Sequence, residues 1–255
     1  MHPNLDDDHV LAAHVADAAG DLLMALRSQL VAEGAPGSVL KAEGDRRSHE
    51  LIMRMLAEHR PADAVLSEEG KDDPVRLTAS RVWIVDPLDG TREFSEPPRT
   101  DWAVHVALAV DGVAAAGAVA LPGLGRTLGT RVPEPLPPAP PARPRLVVSR
   151  TRPPALTAHL AAVLDAELVE MGSAGAKAMA VLRGEADVYA HAGGQYEWDN
   201  CAPVAVAEAA GLHVSRIDGS GLRYNQPDVY LPDLLICHPS LAARVLEAIA
   251  TAPEA

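Results

Sequence analysis

The stretch VWIVDPLDGTREF, residues 82–94, sets a run of apolar side chains against a knot of acids. Asp86 and Asp89 lie three residues apart at the end of what reads as a buried strand, Val82 to Val85. Pro87 fixes its own φ and holds Asp86 extended, and Gly90 opens backbone geometries closed to other residues. Both carboxylates, and the carbonyl of Leu88 between them, can therefore face one point. Like charges placed this way repel each other. Three hard oxygens converging on one spot suit Mg²⁺, which takes oxygen ligands, and the cation removes the repulsion. Thr91 opens TREF, a segment whose leading backbone N–H groups can hold an anion such as phosphate. A plain β-turn explains the same residues, because Asp-Pro and Asp-Gly are common turn dipeptides.

Two more acidic stretches bear on that choice. SEEG places Glu68 and Glu69 behind a short apolar run, either as a solvated face or as ligands. YEWDNCAPVAVAEAAG places Asp199 at the start of an Ala-rich helix with Pro203 in its first turn. An N-cap role there is worth about 1 kcal/mol and is compatible with a ligand role. EMGSAGAKAMAVL reads as a strand, a Ser173 cap and a helix. Lys177 in its early turns either faces solvent or reaches a phosphate as a point charge.

The elements that must position these residues follow from periodicity. Val10, Leu11, His14, Val15, Ala18, Leu22, Leu23, Leu26 and Leu30 mark a helix over residues 6 to 32, stopped by Gly34 and Pro36. A second helix is predicted over residues 45–59, with Leu51, Ile52, Met55 and Leu56 on its apolar face. DAVLSEEG is a short strand, residues 82–85 the next, and WAVHVALAVDGVAAAGAVAL a hairpin turned at Asp111-Gly112. GRTLGT adds a further strand. Residues 132–144, VPEPLPPAPPARP, hold too much proline for a helix or a central strand and read as an extended connector. Beyond it strands (RLVVS, AELVEM, ADVYA, LLIC) alternate with helices over residues 153–164, 174–183, 200–210 and 240–250, an α/β pattern. The organisation expected is an α+β half (1–131), the connector (132–144) and an α/β half (145–255).

Composition narrows the function classes. With 255 residues and 48% hydrophobic content a large core is available, built from Ala, Val and Leu because aromatics are 3%. The net charge of −13 argues against a nucleic-acid or anionic-membrane surface. Two distant cysteines, Cys201 and Cys237, make no disulfide framework, and Cys201 reads as a small helix-packing residue. The start, MHPNLDDDH, lacks the pattern of a signal peptide, and no apolar run approaches the ~20 residues of a membrane span, so a cytoplasmic protein is expected. GLGRTLG is no dinucleotide fingerprint, no Walker A lysine motif exists, and SHELI lacks the second histidine of a zinc helix.

Taken in order, SEE, DPLDGTREF and WDNCAPVAVAEAAG resemble the inositol monophosphatase superfamily of Mg²⁺-dependent, lithium-inhibited sugar and nucleotide phosphatases, over about residues 8–250. SRTR, GSAGAK and WDNCAP look most like its bacterial CysQ-type bisphosphate nucleotidases. The resemblance implies an α/β fold layered as an alternating αβαβα sandwich. It implies Glu68, Asp86 and the Leu88 carbonyl around one Mg²⁺, and Asp86, Asp89 and Asp199 around a second. Asp45 falls where the family serves a third, weaker Mg²⁺ through water, although Ala42, Glu43 and Gly44 stand where the family carries a threonine. Glu68, Thr91 and Asp45 are implied to orient and deprotonate the attacking water. Leu88, Asp89, Gly90, Thr91, Arg150, Ser173, Lys177 and Asp199 are implied to meet a small phosphorylated metabolite.

The implied reaction is removal of the 3′-phosphate of 3′-phosphoadenosine 5′-phosphate, recycling a by-product of sulfur assimilation. The alternatives are inositol monophosphatase or fructose-1,6-bisphosphatase activity, with relaxed specificity included, and a non-catalytic phosphate-binding regulator. Nucleotide-specific relatives carry Ser where Ala174 stands, His where Arg152 stands and Arg near the place of His191. Arg150, Arg152 and Tyr196 are the candidates to substitute, Tyr196 by stacking on a base. Inhibition by Li⁺ and a homodimer are further implications, with no nucleic-acid or membrane partner. Asp89→Asn is expected to abolish turnover and leave the fold intact; near-normal Mg²⁺-dependent activity in that variant would contradict the assignment.

Overall fold

The computed structural model describes residues 7–151, 153 and 155–252. The apolar spacing from Val10 to Leu30 forms one long helix, α1 (Asp8–Ala32), whose free N-terminal amides are capped by Asp7. By length and composition α1 is apolar enough to cross a membrane, yet Leu11, Val15, Ala19 and Leu23 are fully buried within the fold. The second helix, α2 (Gly37–His59), begins eight residues before the predicted residue 45. Pro36 starts it, and Gly44 is a packing position inside it rather than a breaker. A Cβ at Gly44 would lie 2.8 Å from Leu88 and 2.9 Å from Phe94.

The first sheet has the order β1 (Ala64–Ser67), β2 (Arg81–Asp89), β3 (Ala103–Val110), β4 (Val113–Leu121), β5 (Arg126–Gly129). Only β1 and β2 run parallel. The β3–β4 hairpin turns at Asp111 and Gly112, both at positive φ, as a two-residue turn between twisted strands requires. β2 continues past the predicted end at Val85: its pairing with β3 breaks after Asp86 and resumes at Asp89. Pro87 has no N–H to give the ladder, so the two carboxylates flank a bulge. The one-residue offset in register that such a bulge allows re-aims side chains, which is what a strand carrying ligands needs.

Residues 132–144 carry neither helix nor strand. Beyond them come β6 (Arg145–Ser149), helix α4 (Ala155–Leu164), β7 (Glu167–Met171), α5 (Ala174–Leu182), β8 (Val188–Ala192), α6 (Glu197–Ala209), β9 (His213–Ser215), β10 (Asp233–Cys237) and α7 (Ala242–Ala250). A one-turn helix, α3 (Thr91–Phe94), lies earlier, directly after β2. The second sheet is ordered β7-β6-β8-β10-β9, with β6 parallel to both neighbours and β10 antiparallel to both of its own. β9 is three residues long at a sheet edge and shows too little alternation to be read from sequence.

Three apolar clusters define the layers. Leu11, Leu23 and Ile52 of α1 and α2 pack on Trp83, Val85 and Val106. Met179 and Val204 of α5 and α6 fill the space between Ile84 and Ala107 of the first sheet and Tyr189 and Ile236 of the second. Leu160 and Val245 of α4 and α7 cover Leu146 and Leu235 on the outer face. The order is helices, sheet, helices, sheet, helices, the αβαβα sandwich that the sequence resemblance implies. Alternation along β2 explains the double burial: Trp83 and Val85 face one helix layer, Val82 and Ile84 the other. The two sheets are interlocked, since α6, which follows β8 in the chain, packs on β2, β3 and β4 of the first sheet.

That contact depends on Gly117 of β4, where an added Cβ would meet Ala205 Cβ at 3.0 Å and Ala202 Cα at 3.4 Å. Gly117→Val is expected to cost about 1–3 kcal/mol by overpacking. In thermal denaturation the midpoint should fall by roughly 2–4 °C per kcal/mol for a domain of this size.

Candidate active site

The acids gather where the two sheets meet. Glu68 follows β1, its N–H donating to the Val85 carbonyl of β2 at 3.3 Å. Asp86 and Asp89 flank the β2 bulge, and Asp199 sits in the first turn of α6. One oxygen from each of Asp86, Asp89 and Asp199 falls within 4.8 Å of the others. The Glu68 carboxyl shares a hydrogen bond with Asp86, and Asp45 of α2 adds its charge from the side. The five acids singled out in the sequence thus converge.

Each acid is steered by a backbone donor. Leu88 N–H donates to Asp86 Oδ1 at 3.0 Å, across the bulge. Tyr196 N–H donates to Asp199 Oδ2 at 2.6 Å. Asp199 is therefore the third residue of α6 in a capping box with Tyr196 at the N-cap, not the cap itself. Asp89 receives Ser173 Oγ at 2.5 Å and the N–H groups of Ala174 at 3.1 Å and Gly175 at 2.6 Å. His105 Nε2 adds an ion-pair contact at 3.1 Å that falls short of aligned hydrogen-bond geometry.

Electrostatics follow from these neighbours. Burial, then the charges of Glu68 and Asp89, raises the Asp86 carboxyl well above its usual range. Burial, then Asp89, pushes Asp199 up to about 7. Burial, then Glu69, pushes Asp45 to about 6. Asp89 goes the other way: burial opposes its ionisation, but His105, Lys177 and the Ser173 bond outweigh it and hold the carboxylate ionised. A set of oxygen donors, all carboxylate or carbonyl, crowded until protons are retained, fits a hard divalent cation and no soft one.

Beside the cluster, Thr91 Oγ1 stands 3.1 Å from the Leu88 carbonyl and 3.2 Å from Asp45 Oδ1. Its single proton serves one acceptor at a time. Gly90, at φ 86°, makes the turn from β2 into α3, and the leading N–H groups of that helix have no intrahelical acceptor. Ser48 of α2 donates to the Pro87 carbonyl at 2.6 Å and braces the bulge.

A cavity of about 330 Å³ opens from the acids, walled by Asp89, Asp199, Lys177, Tyr189, His191 and Gln195 among others. Of the expected substrate contacts, Ser173 and Lys177 line the cavity and Arg150 does not. Ser173 gives its hydroxyl proton to Asp89, so it is a positioning group for the acid. Arg150 is clamped by Glu93 and Glu96, both at 2.7 Å, and bridges the two sheets without lining the cavity. Lys177 lines the cavity, but its ammonium already donates to the carbonyls of Gly172 at 2.8 Å and Ser173 at 2.5 Å. One donor remains to it. Arg152 lies outside the described residues. Tyr196 is not among the residues lining the cavity and stacks on Trp198, with ring centroids 5.0 Å apart.

His105 is the contact that sequence reasoning missed. Its row on β3 is otherwise Ala103, Ala107 and Ala109, facing α5 and α6, and a lone polar residue in a buried apolar row was the available signal. Asp89 organises the start of α5 through both oxygens, Oδ1 accepting from the Ala174 N–H and Oδ2 from Ser173 and the Gly175 N–H, so the amide nitrogen of Asp89→Asn meets a backbone N–H whichever way it is turned. Against the expectation of an intact fold, that variant should lose stability alongside turnover.

The comparisons agree with this geometry. A family profile described as the inositol monophosphatase family matches residues 6–254. The 3′-phosphoadenosine 5′-phosphate phosphatase of Mycobacterium bovis is 50% identical over 242 residues, covering 92% of this chain and 90% of that protein. The 3′(2′),5′-bisphosphate nucleotidase CysQ of Escherichia coli K12 is 31% identical over 240 residues, covering 89% and 96%. Among solved structures, CysQ from Bacteroides thetaiotaomicron superposes with a TM-score of 0.73 at 28% identity, covering 89% of this chain and 96% of that one.

The raised carboxyls carry a stability prediction. With folded values near 7 for Asp199 and 6 for Asp45, against 3.8 ordinarily, the folded chain holds more protons than the unfolded one across that window. Stability contributed by the cluster therefore falls as pH rises through it. In EDTA the melting temperature should drop between about pH 4 and about pH 7, and magnesium should remove most of the drop by binding the ionised cluster. Identical pH profiles with and without magnesium would contradict the assignment of these acids as ligands.

Proposed function

This chain belongs to the inositol monophosphatase family, and we propose that it removes the 3′-phosphate of 3′-phosphoadenosine 5′-phosphate, leaving AMP and inorganic phosphate. The observation that carries the reading is the convergence of Asp86, Asp89 and Asp199 at the mouth of a cavity with a lysine on its wall, in a chain half identical to a phosphatase of that name. Glu68, Asp86 and the Leu88 carbonyl would hold one Mg²⁺, Asp86, Asp89 and Asp199 a second, and Asp45 a third. Bound there, the cations neutralise the phosphate ester and make water acidic enough to attack it.

The chain's own residues do the rest. Thr91 and Glu68 orient the water, and Glu68 or Asp45 accepts its proton. The N–H groups of Gly90 and Thr91 hold phosphoryl oxygens whose charge grows in the transition state. Lys177, between Asp89 and the cavity, offers its remaining donor to an anionic group of the substrate. The enzyme works as a cytoplasmic homodimer inhibited by Li⁺, which competes for a cation position.

Phosphate release from 3′-phosphoadenosine 5′-phosphate should exceed release from inositol 1-phosphate and fructose 1,6-bisphosphate, and EDTA should abolish all three. Glu68→Gln should lower kcat by about 10²–10⁴. A faster rate on inositol 1-phosphate than on the nucleotide would overturn the substrate reading while leaving the chemistry intact.

A further inference from the structure

Among the described residues two basic side chains line the cavity, and they differ in depth. Lys177 is 6% exposed, and its charge helps to hold Asp89 ionised, so it belongs to the acid end. Two of its three donors are bound to the carbonyls of Gly172 and Ser173. Arg92 lies on α3, three residues after Asp89, and its side chain is 56% exposed. Lining the cavity while more than half exposed, the guanidinium belongs to the mouth, open to a ligand.

Most of the Arg92 donors are unspent. Nε donates to Glu96 Oε1 at 3.2 Å, and the two terminal nitrogens make no hydrogen bond among the described residues. An exposed pair of this kind holds its partners weakly, because water solvates both when they part. Glu96 does not depend on it: its other oxygen accepts from Arg150 Nη2 at 2.7 Å. Glu93, which lines the cavity, is held by the same Arg150, also at 2.7 Å. Arg150 thus covers the two carboxylates that would repel an anion at the mouth, and Arg92 can leave Glu96 without stranding it. The terminal nitrogens of a guanidinium offer parallel N–H donors that match two oxygens of one phosphate. The cavity, about 330 Å³, has room for more than a phosphate group, and the uncharged Ser149, Thr151 and Gln195 also line it. An ester with one phosphate needs the acid end alone. An ester with two has a second charge to place, and Arg92 is the basic group at the mouth with donors left to give.

We propose that Arg92 is a specificity-determining residue that turns from Glu96 to make a bidentate contact with the second phosphate of the substrate, the one that is not hydrolysed. The inference rests on the bisphosphate nucleotide reading above and names the group that tells such a substrate from a monophosphate.

The test compares wild type, Arg92→Ala and Arg92→Lys on 3′-phosphoadenosine 5′-phosphate and on adenosine 3′-monophosphate, which lacks the second phosphate. Arg92→Ala should lower kcat/KM on the bisphosphate by about tenfold or more, chiefly through KM, and leave the monophosphate within about twofold of wild type. Arg92→Lys, a point charge without the fork, should recover part of the loss. The ratio between the two substrates cancels any loss of folded protein. Equal losses on both, or none on either, would overturn the proposal. Inhibition by the two products reads the same contact independently of the monophosphate. In Arg92→Ala the inhibition constant of AMP should rise by a similar factor, while that of inorganic phosphate stays as in wild type. An unchanged constant for AMP, or equal rises for both products, would also overturn it. Wild type that hydrolyses inositol 1-phosphate and not the bisphosphate would bring down the parent reading and the inference together. Wild type that hydrolyses the bisphosphate, with Arg92→Ala matching it in kcat/KM, would bring down the inference alone.

Discussion

Mutual repulsion among buried carboxylates is the constraint around which this fold is arranged. Left alone, Asp86, Asp89 and Asp199 would turn outward to water. They do not, because each has an oxygen held by a backbone N–H: Leu88 for Asp86, Ala174 and Gly175 for Asp89, Tyr196 for Asp199. Backbone donors cannot rotate away as side chains do, so the acids are presented as a rigid set whose remaining capacity faces a common point. The bulge at Pro87 and the first turns of α5 and α6 are the three local structures that supply those donors.

Bringing three such structures together requires the layers to approach closely. An added Cβ at Gly175 would lie 2.0 Å from His105 Nε2, and one at Gly172 would lie 2.2 Å from Glu93. The start of α5 is thus pressed against the first sheet, with no room for a side chain at either point. Arg27 of α1 reinforces the opposite side, donating to the Arg99 carbonyl at 2.8 Å and the Glu93 carbonyl at 3.2 Å. Its guanidinium also lies 5.6 Å from the Phe94 ring centre and 5.7 Å from that of Trp102. Arg150 then ties the second sheet to Glu93 and Glu96 of the same segment. The residues following the Asp86–Asp89 bulge are therefore clamped from both sides, and a site on a short loop gains the stiffness of two packed sheets.

Much of this was legible in the sequence, and what was not has physical reasons. The acids could be found because three short motifs, each open to a plain structural reading alone, together match in order those of one family. The helices and strands could be found because alanine, valine and leucine recur at clear periods. The start of α2 was hidden because Gly44 looks like a breaker when its packing against Leu88 and Phe94 is unknown. The continuation of β2 through Asp89 was hidden because a bulge has no sequence period. Ser173 and Arg150 were expected at the substrate from the family resemblance. Whether a hydroxyl or guanidinium is free depends on neighbours from distant segments, here Asp89, Glu93 and Glu96. His105 escaped for the same reason: its importance lies in the partner it finds across the fold, Asp89.

The charge balance of the site also orders events within the proposed reaction. A chain of net charge −13 with five acids at its active site repels a bisphosphorylated nucleotide. Two basic side chains line the cavity: Lys177, with two of its donors already bound to carbonyls, and Arg92, paired with Glu96 at 3.2 Å. Against five acids, the proposed reaction would draw much of its attraction for the substrate from the divalent cations, and by linkage whatever the cations do for substrate affinity the substrate would do equally for theirs. His191 and Tyr189 also line the cavity, and burial together with Lys177 pulls the His191 ring down to about 4, so it adds no positive charge at neutral pH. Under the proposed reading, the acids that repel a bisphosphorylated substrate by themselves would attract it through the cations they hold.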